Sequence, residues 1–85
     1  MKRYQLVISR KFKKDLKKIP KRYRILILKK LKLLKSNPHS GRKIRNAEIG
    51  KYRIRIGVYR LRYDIEEKQI LILRVLHRKE AYRIN

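Results

Sequence analysis

Residues 52–65, YRIRIGVYRLRYDI, alternate apolar and polar side chains with a period of two, interrupted once at Gly57. That period suits strands with one covered face and is wrong for an amphipathic helix, whose apolar positions recur every three or four residues. Tyr52, Ile54 and Ile56 fall on one face and Arg53 and Arg55 on the other. After a turn at Gly57, Tyr59, Leu61, Tyr63 and Ile65 form the next apolar face, with Arg60, Arg62 and Asp64 opposite. A strand pair of this kind needs a cover for its apolar side, and it leaves a row of cations on the other.

The upstream sequence supplies the cover. RYQLVIS (3–9) puts Tyr4, Leu6 and Ile8 on one face of a first strand. Ser9 then stands at an N-cap position ahead of Phe12, Leu16 and Ile19 at i, i+4 and i+7. Pro20 interrupts that pattern and suits the first turn of a second helix over 20–36, which stacks Tyr23, Ile27, Leu31 and Leu34 on one face. Ile25, Leu26 and Leu33 fall off this stripe; they read as additional core or as a docking site, with core the favoured reading.

SNPHSG (36–41) is turn chemistry, followed by a short extended piece around Arg42–Arg45 and a turn near Asn46–Gly50. EEK (66–68) reverses the chain again, and QILILRVL (69–76), apolar on both faces, belongs inside the sheet. The tail HRKEAYRIN is expected as a short helical turn or irregular segment. Together these elements predict one α+β domain over residues 1–85. Two N-terminal helices pack on one face of a twisted, mainly antiparallel sheet of four to five strands, and the arginines line the open, concave face.

Charge narrows the function. Twenty-eight Lys and Arg against six Asp and Glu give a net charge of +22. Self-repulsion at this density disfavours a compact monomer, and a polyanion relieves it while gaining from counterion release. Six acids are too few to balance the cations in surface ion-pair networks. Without cysteine, and with two histidines at no ligand spacing, a metal centre is not expected. Glycine-rich phosphate loops are missing, so no nucleotide cofactor is expected either. The longest aliphatic runs, ILIL at 25–28 and 70–73, are too short to cross a bilayer, and no signal-peptide core follows the N-terminal MKR. The expectation is a soluble, cytoplasmic protein with no membrane partner.

The remaining functional groups are Arg, Lys, Tyr and His. They suit metal-free cleavage of RNA, in which the substrate's own 2′-OH is the nucleophile. The protein then holds the phosphate in line and neutralises the charge that builds on it. Arginine forks do this bidentately, and a Tyr or His among cations can serve as acid or base.

With these residues in view the chain resembles toxins of the RelE/ParE superfamily from type II toxin–antitoxin systems, and within it the RelE-like branch. The resemblance covers nearly all 85 residues and is carried above all by YRIRIGVYRLRYDI and VLHRKEAYR, with YQLVISRKFKKDLKKIP and NPHSGRKIRN in support. It implies a small antiparallel sheet with two N-terminal helices. It also implies a ribosome-dependent mRNA endoribonuclease that cuts A-site codons and leaves a 2′,3′-cyclic phosphate. The matching catalytic positions are Arg53, Arg55, Arg60, Arg78 and Tyr82, with Lys43, Arg45, Lys51, Arg62, His77 and Lys79 as further RNA-contacting residues. No cofactor is implied. The implied partners are the ribosome, mRNA and an acidic, RelB-like antitoxin that wraps the toxin.

One departure has chemical consequences: well-studied RelE-like enzymes carry lysine where this chain has Arg53 and Arg55. Arginine stays protonated, so the general base falls to Tyr82, His77, Lys51 or Lys79. Plainer readings stand beside these. Arg53 and Arg55 also fit a solvated strand face, Arg60 and Arg62 fit pairs with Asp64, Glu66 or Glu67, and His77 fits a capping residue. Tyr52, Tyr59 and Tyr63 read as core. Two other functions share the composition: a ParE-like topoisomerase inhibitor that cleaves nothing, and a non-enzymatic basic RNA-binding protein.

Overall fold

The computed structural model describes residues 4–45 and 49–84, so the middle of the turn expected near Asn46–Gly50 lies outside the described residues. In chain order the elements are β1 (Gln5–Ile8), α1 (Arg10–Lys17), α2 (Lys21–Ser36), β2 (Arg42–Lys43), β3 (Tyr52–Ile56), β4 (Tyr59–Glu66), β5 (Gln69–His77) and α3 (Arg78–Ala81). Short 3-10 turns occupy Pro38–Ser40 and Tyr82–Ile84. The strands form one sheet in the order β1-β5-β4-β3-β2, with β1 parallel to β5 and the other neighbours antiparallel. This is the α+β architecture that the sequence predicts, and the all-apolar strand β5 does lie inside the sheet.

Local chemistry accounts for the helices. The Ser9 hydroxyl accepts from the Phe12 amide at 3.0 Å, capping α1, and donates to the Leu73 carbonyl of β5 at 2.8 Å. Pro20 is the N-cap of α2 rather than its first helical residue, and its carbonyl accepts from the Tyr23 and Arg24 amides at 3.0 and 3.1 Å. Ile27, Leu31 and Leu34 are buried with Phe12 and Ile19 against Ile54, Ile56, Leu61, Tyr63, Ile70, Ile72 and Val75. Each fully buried aliphatic side chain contributes about 1.5–3 kcal/mol.

The favoured core assignment of Ile25, Leu26 and Leu33 does not hold. All three are exposed, as is Leu28, and Leu33 shows 60% of its surface. A single sheet contact covers one arc of α2, centred on Ile27, Leu31 and Leu34, and these residues project from the remainder.

A bulge sets the far end of β5. Arg62 pairs with Arg74 but Tyr63 pairs with Ile72, which leaves Leu73 as the extra residue. Because β1 ends at Ile8, the edge of β5 past Ile72 has no strand beside it. Helix α1 closes this edge with side chains: Ser9 takes the Leu73 carbonyl, and Asp15 accepts the Val75 amide at 3.2 Å.

Candidate nucleic-acid interface

Strand register places like charges directly opposite one another. Arg42 pairs with Arg53, Arg53 with Arg62 and Arg62 with Arg74, so four strands contribute one arginine each to a single row. Arg55 pairs with Arg60 in the next row. Like charges in such positions are normally destabilising.

The fold draws several of them inward. Arg74, beside the bulge, reaches Asp15 on α1 at 2.7 Å. Arg62 is 1% exposed and donates to the Gly50 carbonyl at 3.0 Å. Arg60 is 6% exposed, and its Nη1 donates to the carbonyls of Gly57 and Tyr59 at 2.9 and 3.0 Å. The accessible members are therefore Arg42 and Arg55, both exposed, and the half-buried Arg53.

Burial, and then the cations of Arg55, Arg42 and Arg60, push the Arg53 guanidinium below its ordinary pKa, while Tyr82 pulls the other way. Among the described residues that set holds three arginines, one tyrosine and no carboxylate. Guanidinium forks on such a face suit an anion with phosphate geometry.

The other expected site residues are distributed as follows. Tyr82 is 69% exposed and close enough to influence Arg53. Arg78 is exposed, and its amide donates to the Val58 carbonyl at 2.7 Å, which ties the start of α3 to the β3–β4 turn. Lys79 and Arg45 are exposed on α3 and at the turn after β2. Lys51 is exposed, and its amide donates to the Asp64 carboxylate.

Three expected RNA contacts lie elsewhere than the sequence suggested. Arg62 is buried beneath the segment at Gly50 and has no surface to offer a strand of RNA. Lys43 pairs with Tyr52, so it projects to the face opposite Arg42 and Arg53. His77 pairs with Tyr59 on the helix-covered face, with ring centroids 5.9 Å apart. Its Nδ1 accepts the Lys79 amide at 3.2 Å, so it caps α3. Backbone carbonyls accept from both Arg60 and Arg62, and the Asp64 carboxylate also acts favourably on the Arg62 charge.

Arg42 is the residue that sequence reasoning missed. A two-residue strand has no alternation to reveal its phase, and its facing emerges only from pairing with Arg53. Among the described residues no three of His, Asp and Glu gather as a metal site, and no helix is long and apolar enough to cross a membrane.

A small α+β fold carrying a row of arginines on its open sheet face defines the class, and comparison with known proteins gives the family. Residues 6–82 match the family described as the ParE toxin of the parDE type II toxin–antitoxin system, and the chain belongs to that family. It is a type II toxin with a RelE-like structure. Similar solved structures include the toxin–antitoxin complex RelBE2 from Mycobacterium tuberculosis, 29% identical over 88% of this chain and 98% of that one, with a TM-score of 0.79. The RelB–RelE antitoxin–toxin complex from Methanococcus jannaschii is 30% identical over 91% and 95%, TM-score 0.75. A mutant of the Escherichia coli toxin RelE in its free state is 26% identical over 96% and 93%, TM-score 0.74. No curated protein sequence matches the chain.

Proposed function

We propose that this toxin is a ribosome-dependent mRNA endoribonuclease acting in the cytoplasm. The observation that carries the reading is the cross-strand pairing of Arg55 with Arg60 beside Arg53, on the face opposite the helices and within electrostatic reach of Tyr82. In the proposed reaction the 2′-oxygen attacks the adjacent phosphorus, the 5′-oxygen leaves, and a 2′,3′-cyclic phosphate forms. Arg53 and Arg55 hold the phosphate, and Arg60, buried beside Arg55 and locked by two carbonyls, adds a fixed positive field toward the charge developing on the phosphoryl oxygens. Arg78 adds a further cation from α3. Tyr82 is the proposed base that takes the 2′-proton, because neither arginine can do so and His77 sits on the other face.

The test uses ribosomes programmed with labelled mRNA carrying a defined A-site codon, with free mRNA as control. The expected product is a cut inside the codon with a cyclic end, on ribosomes only, lost in Arg60→Ala/Arg78→Ala. Undiminished cleavage by that double variant overturns the site assignment.

A second reading has its own observation: the matching family is named for ParE. ParE-like toxins inhibit a topoisomerase without cleaving RNA, so a folded chain that leaves ribosomal mRNA intact and blocks DNA supercoiling establishes that branch. Under either reading we propose an acidic, RelB-like antitoxin as partner. It covers the arginine face, the exposed apolar side of α2, or both, as the antitoxins in the solved complexes accompany their toxins.

A further inference from the structure

The row of arginines extends past the proposed cleavage centre to the edge of the sheet. There a cleft of about 350 Å³ is lined by Ser40, Gly41, Arg42, Arg53, Ile54 and Arg55. Its floor is unusually well fixed for a two-residue strand. A Cβ on Gly41 would lie 3.0 Å from both the Arg53 carbonyl oxygen and Ile54 Cγ1, and would run into the Tyr63 hydroxyl. Only glycine therefore lets this segment press so closely on β3. The same Tyr63 hydroxyl accepts from the Gly41 amide at 3.0 Å and donates to the Pro38 carbonyl at 2.8 Å. The backbone that carries Arg42 is thus pinned from within the core.

Arg42 stands directly across from Arg53, and each raises the other's need for an anion. Adjacent strands lie about 4.8 Å apart, so the exposed Arg42 starts one strand beyond Arg53, toward the edge of the sheet. This geometry continues the clamp by one further position along a polyanion. It deepens the RNA-cleaving reading and rests on it. We propose that Arg42, with the outer side of Arg53, forms a second phosphate subsite that takes the backbone phosphate neighbouring the scissile one. Arg42 then sets the register of the RNA strand and takes no part in the bond changes.

The test is binding of a fluorescein-labelled 2′-deoxy trinucleotide, which has two phosphates and cannot be cut, to the full chain across a salt series. For single strands the logarithmic salt slope is about −0.7 for each phosphate neutralised. The expected result is a slope smaller by about 0.7 in Arg42→Gln, restored in Arg42→Lys and unchanged in the helix variant Lys32→Gln. Replacing one of the two linkages by a neutral methylphosphonate weakens binding to the parent several-fold and has no effect on Arg42→Gln. On programmed ribosomes Arg42→Gln raises KM and leaves kcat in place.

An unchanged slope in Arg42→Gln, an equal loss in Lys32→Gln, or a fall in kcat each overturns the subsite. So does failure of the parent to bind the trinucleotide at low salt while an acidic antitoxin binds through Arg42, which makes the cleft a carboxylate site. Loss of the ribosomal activity altogether strikes the proposed function, and the trinucleotide measurement still decides the subsite.

Discussion

Asp15 on α1 grips Arg74 on β5 with both carboxylate oxygens, Nε at 2.7 Å and Nη2 at 2.9 Å, and the same carboxylate accepts the Val75 amide. The contact joins residues 59 positions apart and seals the strand edge that β1 leaves open. It also removes one arginine from the row that would otherwise cross four strands.

Asp15→Asn is therefore expected to cost about 2–3 kcal/mol, since it strands a partly buried guanidinium and weakens the Val75 hydrogen bond. Urea unfolding gives the value directly. Adding Arg74→Met to Asp15→Asn should recover part of the loss, because the orphaned charge is then absent. An additive double variant would mean that the two side chains do not act as a pair.

Arg62 and Arg55 separate structure from function. Arg62→Ala removes a buried side chain and its bond to the Gly50 carbonyl, and should cost about 2–4 kcal/mol. Arg55→Ala, at an exposed position, should change stability by no more than about 0.5 kcal/mol while lowering RNA cleavage at least tenfold. Thermal unfolding and the ribosome assay, run on both variants, read the two effects independently. Equal stability losses would place both arginines in the same structural role.

Much of this architecture was legible in the sequence because period-two and period-3.6 patterns are set by backbone geometry alone. The strands at Tyr52 and Tyr59, the Ser9 cap and the stripe Ile27–Leu31–Leu34 all follow from it. Depth was not legible. Alternation assigns Arg60 and Arg62 to the open face correctly, yet it cannot show that the segment at Gly50 lies over Arg62 or that carbonyls capture Arg60. The bulge at Leu73 was hidden too, because QILILRVL is apolar on both faces and offers no phase to break. Hence Arg74 turned out to serve α1, and His77 faced the helices rather than the arginines.

The Tyr63 hydroxyl gives the fold an alkaline limit. Burial, the largest cause, raises its pKa above the ordinary 10.0, with the Gly41 amide pulling it down. The folded state keeps this proton at a pH where the unfolded chain has lost it. The stability contribution is thus complete below pH 10 and is lost as pH rises from there through the raised value. Tyr63→Phe should be less stable at neutral pH, since the Gly41 amide and the Pro38 carbonyl lose their partner, but its stability should fall less steeply above pH 10. Parallel alkaline slopes for parent and variant would assign the limit to other groups.

The exposed apolar side of α2 makes the final prediction. Leu26 and Leu33 stand seven residues apart, two helical turns, with Lys29 and Lys32 exposed between them. An acidic amphipathic helix would meet this surface with leucine-type contacts and carboxylates at once. Leu26→Glu/Leu33→Glu changes nothing in the core, so its unfolding free energy should stay within about 1 kcal/mol of the parent. Leu31→Ala, between these two positions but buried, should lose about 2–5 kcal/mol. If α2 is a docking surface for the antitoxin, the double glutamate variant should bind it at least a hundredfold more weakly in titration calorimetry, through lost apolar contact and new like-charge repulsion. Full affinity in a folded double variant would leave the arginine face as the principal antitoxin surface, and charge reversal there would then abolish binding where reversal on α2 does not.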